Sequence, residues 1–268
     1  MQQPQLLNLA SGSQAHPDWT NVDYFPARVR YYAPVVGRVM RLVQVGRSQY
    51  VTASGAHVHV ADLRKGLPFP DSSFDAVYHS NFLEHLDRPT ARRFLRECRR
   101  VLRPGGLTRV VVPDLEERSR AYLAALDAAR GGNAGSAEAH EFAIADLIDQ
   151  MVRTRTGGEL GPWLNSGWPE QREAPAVEPG NDRARSLRQR IGTKLIATRD
   201  PVATGELHRW MYDTESLARE LVAAGFTRPV FRTHSESAIA GWDRYRLDER
   251  PDGAPLHHAC LYAEATAA

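Results

Sequence analysis

The sequence predicts an α/β fold: a doubly wound, mostly parallel sheet of about seven strands, the last antiparallel, with a largely helical insertion. Two observations carry this. Between Ala61 and Pro113 a strand, a crossover helix and a second strand follow one another, each with its own turn chemistry. Short apolar runs on either side end in small or acidic residues, as buried parallel strands do at a ligand-binding edge.

Leu6 to Ala10 is the first strand, and Ser11-Gly12-Ser13 turns the chain. No helix of ordinary length fits before Trp19 to Asp23, the second strand. Tyr31 to Val45 has helical spacing despite Pro34, and His57 to Ala61 forms a third strand ending at Asp62. Phe74 to Ser80, introduced by Pro70-Asp71-Ser72-Ser73, is a strand buried on both faces. Asp87 and Pro89 open a helix with Phe94, Leu95, Cys98, Val101 and Leu102 on one face and five arginines on the other. Arg103-Pro104-Gly105-Gly106 stops it, and Val110-Val111-Val112 begins the next strand. Asp114 with Glu117 starts a helix carrying Tyr122, Leu123 and Leu126, and a second follows with Phe142, Ile144, Leu147, Ile148, Met151 and Val152. Gly157 to Gly180 lacks periodicity and reads as a loop. The core resumes near Glu206: Thr214 or Asp213 caps a helix ended by Gly225, and Pro229–Thr233 and Cys260–Ala265 are the last strands.

Of the 268 residues, 42% are apolar and 25% charged, and no apolar run approaches the roughly 20 residues of a membrane helix. The start has no signal-peptide character, and Cys98 and Cys260 form no disulfide framework, so a cytoplasmic setting is expected. A net charge of +2 gives no argument for nucleic acid, although Arg183, Arg185, Arg188, Arg190, Lys194 and Arg199 make a local basic run. Such runs are more often a solvated face than a grip on an anion.

Four segments, Leu7 to Gly12, Leu67 to Asp75, Leu83 to Leu86 and Arg100 to Gly106, together resemble class I S-adenosylmethionine-dependent methyltransferases. The similarity is to small bacterial enzymes of glycan, lipopolysaccharide or natural-product pathways, which share forms of Trp19-Thr-Asn-Val-Asp23 and His208-Arg-Trp-Met-Tyr-Asp213. It covers about residues 6–114 and 206–264. The resemblance implies S-adenosyl-L-methionine as cofactor, approached closely by Ala10, Ser11 and Gly12. Asp23 would accept from the ribose hydroxyls, Asp62 and Leu63 would hold the adenine, and Ser80, with its neighbours His79 and Asn81, would line the methionine end. As plain structure, Asp23 and Asp62 would be turn or cap acids.

Methyl transfer to a hydroxyl needs an acceptor lone pair near the methyl carbon and a base for its proton. His85 after the fourth strand, His208 and Asp114 are the candidates, with capping and backbone hydrogen bonding as the plain alternatives. Glu84 could orient His85 only if both face the cleft, and adjacent residues of a turn diverge. Trp163, Trp168, Trp210 and Tyr212 could hold a sugar ring or flat scaffold. His57, His59, His257 and His258 lack further ligands at metal spacing, so no metal is expected. The expected organisation is a cofactor-binding half (1–114), an insertion acting as a substrate lid (115–205) and the rest of the core (206–268). The expected function is O-methylation of a small molecule or sugar or glycan precursor, without nucleic acid or integral membrane segment and compatible with a homodimer. The alternatives are a non-catalytic S-adenosylmethionine-binding partner and a nicotinamide-dependent oxidoreductase. The second is disfavoured because Ser11-Gly12-Ser13 lacks the glycine spacing and helix that cradle a pyrophosphate.

Overall fold

A computed structural model describes residues 4–23, 49–52, 55–132, 134–154, 157–165 and 207–268. The expected helix at 31–45, Trp168 and the basic run at 183–199 lie outside them. The described residues fall into two compact units, one comprising those up to Glu116 with Arg209–Ala268, the other those within Glu117–His208.

In the first unit, eight strands form one sheet: β1 (Leu6–Leu9), β2 (Thr20–Asp23), β3 (Gln49–Val51), β4 (His57–Val60), β5 (Phe74–Ser80), β6 (Leu102–Pro113), β7 (Val230–Arg232) and β8 (Cys260–Thr266). Their order is β3-β4-β2-β1-β5-β6-β8-β7. Strands β4, β2, β1, β5 and β6 run parallel, whereas β8 is antiparallel to both neighbours. The unexpected eighth strand is β3, three residues antiparallel to β4 at the sheet edge. The chain winds outward from β1 through β2 to β4, then returns to place β5 on β1's other side. That reversal opens a crevice beyond the carboxyl ends of β1 and β5.

Alternation sorts side chains between the faces. Leu7, Leu9, Val22 and Val77 face helix α1 (Arg88–Val101), which lays Phe94, Leu95, Cys98 and Val101 against them. Leu6, Ala76 and Tyr78 face Trp19, Trp242 and Tyr245 instead. Asn8 and Asn21 sit among these apolar residues because they hold the short β1–β2 connection. The Asn21 amide donates to the carbonyls of His16, Trp19 and His57 at 2.9, 2.8 and 3.1 Å, and its Oδ1 accepts from Asn8 Nδ2 and His16 N–H. A parallel crossover normally takes a dozen or more residues, often with a helix. Here two buried amides do that work.

Strand β6 starts at Leu102, well before the expected Val110. Phe74 pairs with Leu102 and Ala76 with Leu107, so Arg103-Pro104-Gly105-Gly106 bulges from a strand already running. Gly105 takes φ +76°, and the C-terminal strand fastens the bulge through Gly105 N–H to Ala267 O and Ala267 N–H to Gly106 O. A Cβ on Gly106 would come within 2.9 Å of Arg103 O. Arg100 binds the Leu67-to-Asp75 loop to α1, donating to the Leu67 and Phe69 carbonyls and to Asp71, while Glu97 accepts the Leu67 N–H.

The second unit contains most of α2 (Leu115–Arg130), with α3 (Ser136–Val152) and α4 (Leu160–Asn165), the last inside the stretch expected to be irregular. The expected apolar stripes are only partly the buried ones: Phe142 is buried with Ala145 and Leu160, but much of the rest faces outward. Leu123 is 57% exposed and Val152 65%, whereas Arg118, Asp146 and Asp149 are buried. Arg118 pairs with Asp146, and Asp149 accepts from Arg153 and the Glu159 N–H, so paired charge occupies the interior. In the first unit Asp213, not Thr214, caps α5 (Thr214–Ala223) through a reciprocal box with Ser216.

Candidate functional site

The carboxyl ends of the parallel strands form one continuous rim, stitched by backbone hydrogen bonds. Ser11 N–H donates to Val22 O at 3.1 Å, Ala61 N–H to Asp23 O at 3.2 Å, and Asn81 N–H to Val111 O at 2.9 Å. These bonds, with the pairing of β1 to β5, bring Ala10-Ser11-Gly12 after β1, Asp23 ending β2, Asp62 after β4 and Ser80 ending β5 to one edge of the sheet.

Two of the five left-handed non-glycine residues among the described residues flank the crevice. Ala10 (φ 53°) and Asn81 (φ 48°) are both left-handed non-glycine residues, one after β1 and one after β5. Each costs on the order of 1–3 kcal/mol, and such strain clusters where a ligand is clamped. Ser11 is buried, and its hydroxyl has no hydrogen-bond partner among the described residues. A buried hydroxyl without a partner is costly, and a ligand with a polar edge in this crevice would relieve it. Ser80 Oγ accepts from the Asn81 amide at 3.1 Å.

Other expected positions differ. Leu63 is buried in the core, so a ligand could meet its backbone but not its side chain. His79 is wholly buried on the α1 face, its ring 5.1 Å from that of Phe94, because alternation along β5 turns it to the side opposite Tyr78. It does not line the rim through its side chain as expected. Burial lowers its pKa to about 3, keeping the imidazole neutral. Because the unfolded value is near 6.5, the unfolded chain binds the extra proton first. The stability from neutral His79 is therefore complete above about pH 6.5 and lost progressively down to about pH 3, at no more than about 1.4 kcal/mol per pH unit. Urea unfolding of the wild type and His79→Leu at pH 7 and pH 5 is expected to show a larger acid-induced loss in the wild type. Equal losses would contradict this.

After β5 a single turn, Leu83–His85, carries the expected base. Glu84 is fully buried, and its carbonyl accepts the N–H groups of Arg209 and Trp210 at 2.7 and 3.2 Å. Its Oε1 lies 3.9 Å from His85 Nε2, so these neighbours do approach each other, though beyond hydrogen-bond length. The half-buried His85 side chain is open to solvent on one side.

Asp114 accepts the Glu116 N–H at 2.8 Å, the capping alternative, and pairs through its backbone with Tyr212. Tyr212 is buried, and burial, then Glu220 and Glu84, push its phenol well above the usual range. It belongs to the core rather than to an open ring-stacking surface. Trp210 is 36% exposed, with the Arg88 guanidinium 4.6 Å from its ring centroid. In the second unit Trp163 packs edge-on to Phe142, and His208, buried, donates its N–H to Gln150 O. Asn81, expected beside Ser80, directly follows β5 at the rim, where its backbone is left-handed.

Residues 22–110 match the methyltransferase domain family. The rim and crevice lie largely within the matched range, with the β1 turn just before it. A protein of Mycolicibacterium smegmatis described as a probable S-adenosylmethionine-dependent methyltransferase is 39% identical over 92 residues, which span 31% of this chain and 34% of that relative. The match thus covers about a third of the relative's length. Among solved structures, a Thermotoga maritima protein described as an S-adenosylmethionine-dependent methyltransferase and possible histamine N-methyltransferase is 14% identical. It aligns over 100% of this chain and 84% of its own, at TM-score 0.38. An S-adenosylmethionine-dependent methyltransferase from Mesorhizobium loti is 15% identical over 98% of this chain and 90% of its own, at TM-score 0.39. At these TM-scores neither likeness bears on the chemistry. No helix among the described residues is long and apolar enough to cross a membrane.

Proposed function

We propose that the chain is an S-adenosylmethionine-dependent methyltransferase acting in the cytoplasm on an oxygen of a small molecule or of a sugar or glycan precursor. The observation that supports the reading is the strand-end rim, in which a left-handed turn and the buried Ser11 hydroxyl follow β1 and the backbone of Ser11 is bonded to Val22, next to Asp23 at the end of β2. S-adenosylmethionine would supply an electrophilic methyl group. The Ser11 turn would receive it closely, Asp23 would take the ribose hydroxyls, and Asp62 the adenine edge.

His85 is the assigned base: its imidazole would hold the acceptor hydroxyl in line and take its proton as the oxygen–carbon bond forms and the methyl–sulfur bond breaks, S-adenosylhomocysteine leaving as the thioether. Asp114 and His208 are kept as further candidates, Asp114 having a structural role besides. Trp210, with Trp163 and Trp168, is assigned to the acceptor side, and the 115–205 segment to its selection. A homodimer is compatible with this reading.

The test is release of S-adenosylhomocysteine with a panel of hydroxylated sugars and phenols. With a productive acceptor, His85→Ala is expected to lower kcat by about 10²- to 10⁴-fold, the usual worth of a general base, while S-adenosylhomocysteine binds as in wild type. Unchanged turnover would place the base elsewhere.

A further inference from the structure

The residue expected to meet the adenine is already engaged. Both carboxylate oxygens of Asp62 are held by the neighbouring Arg64: Nε donates to Oδ1 at 2.8 Å and a terminal nitrogen to Oδ2 at 2.9 Å. The Arg64 N–H also donates to Oδ1 at 3.2 Å, making Asp62 the cap of the turn Leu63–Lys65. The side-chain bonds from Arg64 are the first reason that the Asp62 carboxyl titrates below its usual range. The pair is asymmetric, with the Asp62 side chain 13% exposed and that of Arg64 58%. What remains open of the carboxylate is small, whereas the guanidinium reaches water and can leave at little cost. Asp62 is also in register with the rest of the rim, one residue beyond Ala61, whose N–H bonds to Asp23 O.

We propose that Arg64 is an affinity-determining residue that competes with the cofactor's adenine amino group for the Asp62 carboxylate. This rests on the cofactor reading above. A fork-to-fork arginine–carboxylate pair uses both oxygens in one plane, so an exocyclic amino group needing one of them must displace at least one guanidinium bond. An exposed ion pair is worth a fraction of a kcal/mol to about 1 kcal/mol and weakens with salt. Arg64 would therefore set cofactor affinity without preventing binding. The backbone cap from Arg64 N–H to Asp62 survives the exchange and keeps the carboxylate aimed at the rim.

Calorimetric titration tests this with two probes, S-adenosylhomocysteine and S-inosylhomocysteine, whose base lacks the amino group. Arg64→Met keeps the aliphatic stem and removes the fork. The variant is expected to bind S-adenosylhomocysteine about three- to fivefold more tightly, with S-inosylhomocysteine affinity unchanged. In the wild type, without any substitution, S-adenosylhomocysteine affinity should rise between about 50 mM and about 500 mM salt, the range over which exposed pairs are screened. Unchanged or weaker S-adenosylhomocysteine binding by the variant, equal tightening for both probes, or wild-type affinity that falls with salt would each overturn the proposal. If the wild type bound neither probe, the cofactor reading itself would fall.

Discussion

Arg109→Ala is expected to abolish the cooperative folding transition of this protein. Arg109 is fully buried and spends all five N–H donors: Nε on Asp248 at 2.8 Å, and the two terminal nitrogens on Glu264 and the Glu236, Thr233 and His234 carbonyls at 2.8–3.1 Å. Its guanidinium lies 4.5 Å from the Trp242 ring centroid. Burial pushes the Asp248 carboxyl up despite Arg109 and the 2.6 Å bond from the Tyr78 hydroxyl. Burial also acts to raise Glu264, but bonds from Ser237, Ala238 and Arg109 bring it below its usual range. Removing one partner of a buried ion pair costs about 3–5 kcal/mol; here Asp248 loses its cation and three backbone carbonyls their donors, while Glu264 keeps Arg232 at 2.8 Å. That approaches the whole stability of a typical domain, about 5–15 kcal/mol. Urea unfolding followed by tryptophan fluorescence should show no cooperative transition for Arg109→Ala. The triple variant Arg109→Met, Asp248→Leu, Glu264→Met should recover one. A single variant within about 1 kcal/mol of wild type would contradict the assignment.

The second large effect is expected at Asp23. A ribose diol offers two O–H donors, and a hydrogen bond to a charged acceptor is worth about 1.5–3 kcal/mol. Asp23→Ala should therefore weaken S-adenosylhomocysteine binding by about 10²-fold or more, and Asp23→Asn by less, since one oxygen acceptor remains. The stability of the unliganded protein should change far less, because Asp23 stands at a strand end with its backbone bonds intact. Equal dissociation constants for wild type and Asp23→Ala would remove the carboxylate from the site.

The sheet was largely legible because its strands carry continuous apolar runs bounded by turns, and α1 because Asp87, Pro89 and the Phe94–Val101 spacing all agree. Strand β3 was not, since three residues give no period. The start of β6 was misplaced because Pro104 and the two glycines read as a stop, whereas pairing with β5 and β8 carries the strand through them. The exposed stripe of α3 was misread because pattern weighs Ile148 and Val152 above Asp146 and Asp149, whose partners lie far along the chain or beyond the helix. At the proposed site, strand-end position was the sequence signal for Ser11, Asp23, Asp62 and Ser80, which the fold sets along one edge of the sheet. The inward turn of His79 follows from alternation, which the resemblance does not weigh. The Arg109 network joins residues more than a hundred positions apart, and nothing local in the sequence marks it.

The most direct measurement is calorimetric titration of the purified wild-type protein with S-adenosylhomocysteine and, separately, with NAD. Saturable one-to-one binding of S-adenosylhomocysteine and none of NAD is expected, because no helix follows the β1 turn to receive a pyrophosphate. Absence of S-adenosylhomocysteine binding, or saturable binding of NAD, would contradict it.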